Sequence, residues 1–200
     1  MRTAVKKSLL AIAVSSVIAS PVVNATNGYF MHGVSTKEKG MAGAGTAYSQ
    51  DALASANNPA GMAFVGERFD VGLAIFSPSP RSFTVTGTPS AASFINAAPN
   101  VEVESDGDFF LIPHIGYNWQ IDDDTTVGVA VYGNGGMNTE YPTSSTTPNP
   151  DAGIFGDGKA GINLEQAFLN VSVASKFGEK HAFGASVLLV GQKFSAEGLN

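Results

Sequence analysis

The chain has 200 residues, with 17 acidic against 11 basic side chains, a net charge of −6 and no cysteine. The acidic balance excludes a nucleic-acid partner, which would require a basic face, and the lack of cysteines excludes a secreted domain stapled by disulfides. The length is enough for one ordinary globular core, so patterning has to decide the class.

Residues 1–25 read as an export signal. Arg2, Lys6 and Lys7 make a positive start, residues 8–20 (SLLAIAVSSVIAS) form an apolar run, and Val23, Asn24 and Ala25 supply a small-x-small cleavage site. The run is about 13 residues, short of the roughly 20 that a spanning helix needs, which argues against a membrane anchor. Cleavage would leave a mature chain starting at Thr26 with 8 basic against 17 acidic residues, a net charge of −9.

Residues 26–66 fit neither a strand nor a long helix. The stretch 40–62 (GMAGAGTAYSQDALASANNPAGM) is built almost wholly of small residues, which let backbone approach backbone but form no core of their own. Residues 46–56 are expected to form a short helix with Ala47, Leu53 and Ala54 facing inward. Asn58-Pro59 should stop it, because the residue before a proline is pushed out of the α region.

Beyond residue 66 there is no sustained helical periodicity, and no run approaches 18 apolar residues. Five segments alternate instead at period two, the spacing that sends successive side chains to opposite faces of a strand. In residues 69–75, Phe69, Val71, Leu73 and Ile75 oppose Asp70, Gly72 and Ala74. Residues 109–121 set Phe109, Leu111, Ile115, Tyr117, Trp119 and Ile121 against His114, Gly116, Asn118 and Gln120. Residues 125–132 set Val127, Val129 and Val131 against Gly128 and Ala130, and residues 166–177 set Ala167, Leu169, Val171 and Val173 against Asn170, Ser172, Ala174 and Lys176. The fifth, 182–194, is less clean because Leu188 and Val190 interrupt its polar face.

Several of these segments have the length of a tilted strand crossing a bilayer. Short polar turns at 122–124 and 178–180 alternate with long connections at 77–107, which carries Pro78, Pro80, Pro89 and Pro99, and at 138–161. Every long connection therefore falls at one end, as in outer-membrane barrels; a soluble sandwich has no reason for it. Phe76, Trp119, Tyr132 and Phe177 near strand ends fit interfacial girdles, and fit a sandwich rim nearly as well.

Gly43-x-Gly45-x-Ala47-Tyr48-Ser49, Asp51-Ala52 and Asn58-Pro59-Ala60-Gly61, followed by an alternating strand, resemble the N-terminal hatch of the FadL family of outer-membrane transporters for long-chain fatty acids and hydrocarbons. The likeness continues through residues 134–141 (NGGMNTEY) and the fourth and fifth segments, and so covers nearly all of the mature chain. The resemblance implies an all-β, antiparallel transmembrane barrel of fourteen strands plugged by the hatch. This chain would hold the hatch at 26–66 and the first five strands at 67–200. Five strands cannot close a barrel, since about eight make the smallest closed form. Residues 195–200 (SAEGLN) are moreover polar rather than an apolar strand, so the chain is expected to be the N-terminal portion of a longer protein.

The function that the resemblance implies is passive uptake of long-chain fatty acids or other hydrophobic compounds across the Gram-negative outer membrane. Ligand bound inside the barrel would move the hatch and leave sideways into the membrane through a kinked third strand, with no cofactor and no metal. The implied partners are the hydrophobic ligand, outer-membrane lipid and lipopolysaccharide, and the barrel assembly machinery, with the full-length protein a monomer.

By the same resemblance Gly43, Gly45, Asn58, Pro59 and Ala60 belong to the gating hatch, where Asn58 would cap backbone groups and Pro59 would fix the turn. Gly135 and Gly136 fall at the strand-three kink, where glycine tolerates bulge dihedrals and leaves no side chain to block a gap. Tyr29, Phe30 and Met31 would contact the ligand tail from the mobile N-terminus, and Lys193 would anchor a carboxylate. Alternation puts Lys193 on the side of Phe183 and Val187, so either the strand bulges there or Lys193 snorkels to the interface.

Enzymatic readings find little support. His32, His114 and His181 lack metal-ligand spacing, and Gly40-x-x-Gly43-x-Gly45 has no strand before it and no acidic ribose partner after it. Asp122, Asp123 and Asp124 read as a solvated turn rather than a calcium loop, and no Ser-His-Asp set stands out. The competing readings are a general porin and an adhesive surface protein acting through its long loops; neither explains residues 40–62.

Overall fold

A computed structural model describes residues 28–78, 81–84, 86, 100, 102–142, 152–153 and 156–198. The export signal at 1–25 and the expected mature start at Thr26 lie outside these residues. The described chain begins with a short helix α1 (Thr36–Gly40) and two 3-10 helices, Ala52–Ala56 and Pro59–Phe64. Strands β1 (Arg68–Phe76), β2 (Ser82–Thr84), β3 (Glu102–Glu104), β4 (Phe110–Gln120), β5 (Thr125–Tyr141), β6 (Ala152–Gly153), β7 (Gly156–Asp157), β8 (Ala160–Lys176) and β9 (Ala182–Glu197) follow. Among the described residues no helix is long and apolar enough to cross a membrane.

One antiparallel sheet dominates, in the order β1-β4-β5-β8-β9, with β2–β3 and β6–β7 as small hairpins inside the two long connections. Each neighbour in the large sheet is the next long strand in sequence, so the topology is a simple meander. The register aligns the apolar positions across all five strands: Val71 faces Ile115, Ile115 faces Val131, Val131 faces Leu169 and Leu169 faces Leu189. A second such row is Phe69, Tyr117, Val129, Val171 and Val187. These rows are open to the surroundings, Val71 at 70% and Val131 at 43%.

The opposite face carries Asp70, His114, Asn118, Thr126, Asn170 and Ser172, and of these all but Asp70 are buried. A sheet with its greasy face outward and its polar face covered inverts the soluble arrangement. It is what a sheet bathed by lipid requires.

The tight turn between β4 and β5 is built by Asp122, whose carboxylate accepts from the backbone N–H groups of Asp124 (2.9 Å) and Thr125 (2.7 Å). These donors hold the carboxyl below the usual carboxylate range. Residues 177–181 make the other short connection, between β8 and β9.

The five expected strands are all present, and β5, β8 and β9 extend well beyond what alternation alone indicates. β5 continues to Tyr141 and β8 begins at Ala160, so the second long connection shrinks to 142–159. β9 takes in Ser195, Ala196 and Glu197, which pair with Asn163, Ile162 and Gly161. Backbone pairing with β8 holds them in the sheet whatever their polarity.

The helix expected over 46–56 is corrected. Residues 46–51 are irregular, Ala47 is exposed, and only Ala52–Ala56 is helical. Asp51 is extended (φ −153°) and its side chain accepts from Leu53 N–H at 3.1 Å, so the helix starts at this cap. Leu53 and Ala54 are buried as expected. Two girdle assignments also change: Tyr132 is buried on the inner face, and Phe76 lies on the inner row facing Phe110. Trp119 and Phe177 remain exposed, Trp119 packing edge-on against Tyr117 with ring centroids 4.3 Å apart.

Candidate functional site

Residues 28–66 lie against the inner face of the sheet and are fixed to it at three places. The first is β1. Asp70 accepts from Ala52 N–H (2.9 Å) and from Arg68 Nε (2.6 Å), while Arg68 also donates to the Gln50 carbonyl (3.2 Å). The start of the first 3-10 helix is thus tied to an inward carboxylate. The same helix rests on β4 and β8: a Cβ on Gly116 would stand 3.0 Å from Ala52 O and Leu53 Cδ2, and Asn170 Nδ2 donates to the Ser55 carbonyl (3.2 Å).

The second fixed point is the Asn58-Pro59-Ala60 element at the short-turn end. Pro59 opens the second 3-10 helix at its first turn, a position where its missing N–H costs nothing. Its carbonyl carbon and the Ala60 nitrogen lie directly on Gly184 of β9, where any side chain would collide with them. Asn58 makes no side-chain cap on this helix; the backbone group it caps lies elsewhere. Its Nδ2 donates instead to the Thr46 carbonyl (2.9 Å), pinning the irregular stretch to the helix start. Next along, Met62 is fully buried over Gly128 of β5, and Ala63 packs with Ala174 and Ala182.

The third is the strand-five irregularity. Pairing between β5 and β8 shifts between Gly133 and Gly136, with one extra residue on β5, and Gly135 adopts φ +84°. The chain's N-terminal part docks here. Gly136 N–H donates to the Tyr29 carbonyl (3.0 Å) and Met31 N–H donates to Asn134 Oδ1 (2.9 Å). A Cβ on Gly135 would stand 3.2 Å from both the Phe30 and Tyr29 rings. Phe30 in turn approaches Phe168 (6.2 Å between centroids), which stacks on Tyr132 at 5.2 Å.

A buried carboxylate organises the segment between these points. Glu38 accepts from Val34 N–H (2.7 Å) and Ser35 N–H (3.4 Å) through Oε2, and from Asn57 Nδ2 (2.8 Å) through Oε1. Ser35 completes a capping box on α1. Gly43 and Gly45 wrap this centre: Gly43 needs φ +83°, and a Cβ on Gly45 would meet Glu38 Cγ at 2.8 Å. Burial pushes the neighbouring Lys39 ammonium below its usual range, with Glu38 opposing, and Lys39 Nζ is buried without a hydrogen-bond partner.

The structure therefore brings Tyr29, Phe30 and Met31 to Gly135 and Gly136, places Gly43 and Gly45 around Glu38, and sets Asn58, Pro59 and Ala60 at the opposite end of the sheet. Lys193 joins none of them. The β8–β9 pairing runs without a register break, so there is no bulge, and Lys193 sits on the outward row opposite Glu165, facing away from the inner face.

Asp70, Asn170, Glu38 and the inner-row glycines Gly116, Gly128 and Gly184 were not singled out from sequence. The Ser35-x-x-Glu38 spacing is a readable capping signature, whereas the glycines acquire meaning only once their row is known to be covered. Among the described residues no cluster of His, Cys, Asp and Glu could hold a metal ion. The contacts above are backbone clamps and packing, with no nucleophile–base pair among them.

No curated protein and no solved structure matches the chain. Residues 16–197 match the family model for outer membrane protein transport protein (OMPP1/FadL/TodX), a span that contains every element of the fold. The chain belongs to this family of transport proteins, which carry hydrophobic compounds across the outer membrane.

Proposed function

We propose that the chain, exported with a leader cleaved before Thr26, supplies the hatch (26–66) and five wall strands (67–200) of a closed barrel. The barrel takes up long-chain fatty acids or related hydrophobic compounds without chemistry on them. The apolar outer rows contact outer-membrane lipid and lipopolysaccharide, the barrel assembly machinery inserts the chain, and the complete protein acts as a monomer. Further strands would pair with the exposed edge of β9, since an open edge in lipid leaves backbone groups unpaired at several kcal/mol each.

The observation that carries this reading is the docking of Tyr29 and Met31 on the Gly133–Gly136 irregularity. A ligand tail competing for Tyr29, Phe30 and Met31 removes the cover from the bulge, and a bulge lined by glycine leaves a gap in the wall for sideways release. The movement of the hatch is relayed through Glu38 to Asn57, next to Asn58.

The test is uptake of a radiolabelled long-chain fatty acid by cells carrying Asn58→Ala with Pro59→Gly, alongside heat-modifiable mobility as a measure of folding. Normal folding with reduced uptake supports the reading; unchanged uptake sinks it. Uptake of polar solutes that survives deletion of residues 26–61 would instead identify a general porin.

A further inference from the structure

Two residues of the β5 irregularity are tied to the N-terminal segment by hydrogen bonds, Asn134 to Met31 and Gly136 to Tyr29. Gly135 between them is covered by side chains instead. The β5–β8 ladder passes from the Gly133–Ala167 pair to the Gly136–Glu165 pair, so Gln166 is the single β8 residue that faces both Asn134 and Gly135. Alternation along β8 sends its side chain to the inner face, between the buried Leu164 and Phe168. There its Oε1 stands where a side chain on Gly135 would begin, and the Tyr29 and Phe30 rings each lie 3.2 Å from that same point. The space that glycine leaves in the wall is filled from β8.

The Gln166 amide is held at one end only. Its Nε2 donates to Oε1 of Gln192, its register partner on β9, at 2.6 Å. Its own Oε1 is buried and has no hydrogen-bond partner among the described residues. A buried acceptor without a donor has given up the hydrogen bonds that it makes in water, so this placement is costly and lasts only while something covers it. The Tyr29 and Phe30 rings are that cover.

We propose that Gln166 is the latch of the gap in the wall. In the closed state its amide fills the space over Gly135; when the N-terminal segment lifts away, the unpaired oxygen swings out to a hydrogen-bond donor and clears the gap. The proposal rests on the transport reading and adds to it the residue that decides whether the bulge, once uncovered, is open. Uncovering and opening become two steps at one joint. The segment answers to a ligand tail through Tyr29, Phe30 and Met31, whereas Gln166 answers to the donor that its oxygen lacks while it is covered.

The experiment measures uptake of radiolabelled oleate by cells carrying the complete protein, with heat-modifiable mobility as the check on folding and proteolysis near Tyr29 as the measure of segment docking. Gln166→Ala empties the space over Gly135 and should speed uptake about fivefold, the factor that one net hydrogen bond carries. Gln166→Met keeps the volume and leaves no acceptor unpaired, so the closed wall is relieved of its cost and uptake should slow by about the same factor. Cutting near Tyr29 should stay close to the parent rate in both variants, because Asn134 and Gly136 keep their bonds to the segment. Uptake that moves the same way in both variants, does not move, or moves only in step with cutting overturns the latch. Where Asn58→Ala with Pro59→Gly lowers uptake and both Gln166 variants equal the parent, the latch falls and the transport reading stands. A parent that takes up no more oleate than cells lacking the protein removes both.

Discussion

Gly136 donates its backbone N–H to the carbonyl of Tyr29 at 3.0 Å, across more than a hundred residues of sequence and at the point where β5 loses register with β8. A strand irregularity normally leaves a ladder donor unpaired. Here the N-terminal segment supplies the acceptor, so displacing that segment and exposing the bulge are one event.

Gly135 is where this joint is most sensitive. Its φ of +84° costs an L-residue about 1–2 kcal/mol, and an added methyl meets Gln166 Oε1 first and then the Tyr29 and Phe30 rings at 3.2 Å. Gly135→Ala is therefore expected to loosen the N-terminal segment, raising the rate at which a protease cuts near Tyr29. Gly136→Ala, which meets only Leu164 O at 3.3 Å, should change that rate far less. Equal rates for the two variants would remove the bulge from the docking account.

The other end of the segment offers an internal control on a single strand. A methyl at Gly184 runs into the Pro59 and Ala60 backbone, whereas at Gly191 its nearest neighbour is Ala167 O at 4.0 Å. Gly184→Ala should destabilise the folded protein by about 1–3 kcal/mol, as overpacking does, with Gly191→Ala close to neutral by comparison. Urea midpoints of the two variants in the same detergent decide it.

Asp70 is expected to set the local stability of the first 3-10 helix. Asp70→Ala leaves Ala52 N–H and the Arg68 guanidinium without their acceptor, a loss of about 1–3 kcal/mol. Asp70→Asn keeps one acceptor and should fall between. Hydrogen exchange at Ala52 should quicken in that order while amides in the β4–β5 ladder stay protected; quickening throughout would mean the sheet itself depends on Asp70.

Much of this architecture is legible in the chain. Period-two alternation places Val71, Ile115, Val131 and Leu169 on one face without any structure, because the outer rows answer to a single requirement, contact with lipid. Strand ends are less legible because the sequence there no longer has to be apolar. Ser195, Ala196 and Glu197 stay in β9 through backbone pairing alone, and Tyr141 lies past the glycines that break the alternation.

The inner face is harder still. Many of its residues are chosen to fit a segment distant in sequence, so Gly116 reads as a weak strand residue until Leu53 is seen resting on it. Lys193 shows the opposite case, in which alternation alone gave the facing and the resemblance suggested a role on the other side.

Lys39 separates a structural charge from a functional one. Its Nζ is buried without a hydrogen-bond partner, and burial pushes its pKa down more than the Glu38 carboxylate raises it. A lysine whose folded value is depressed weighs against the fold while protonated, so its penalty should ease as pH rises through that value toward the unfolded value of about 10.4. Lys39→Met removes the charge and keeps much of the volume. It should raise the unfolding midpoint at pH 7, with the advantage over the parent shrinking as pH approaches 10.4. A midpoint that falls instead, with uptake lost, would show that the ammonium holds a ligand or partner in the native channel.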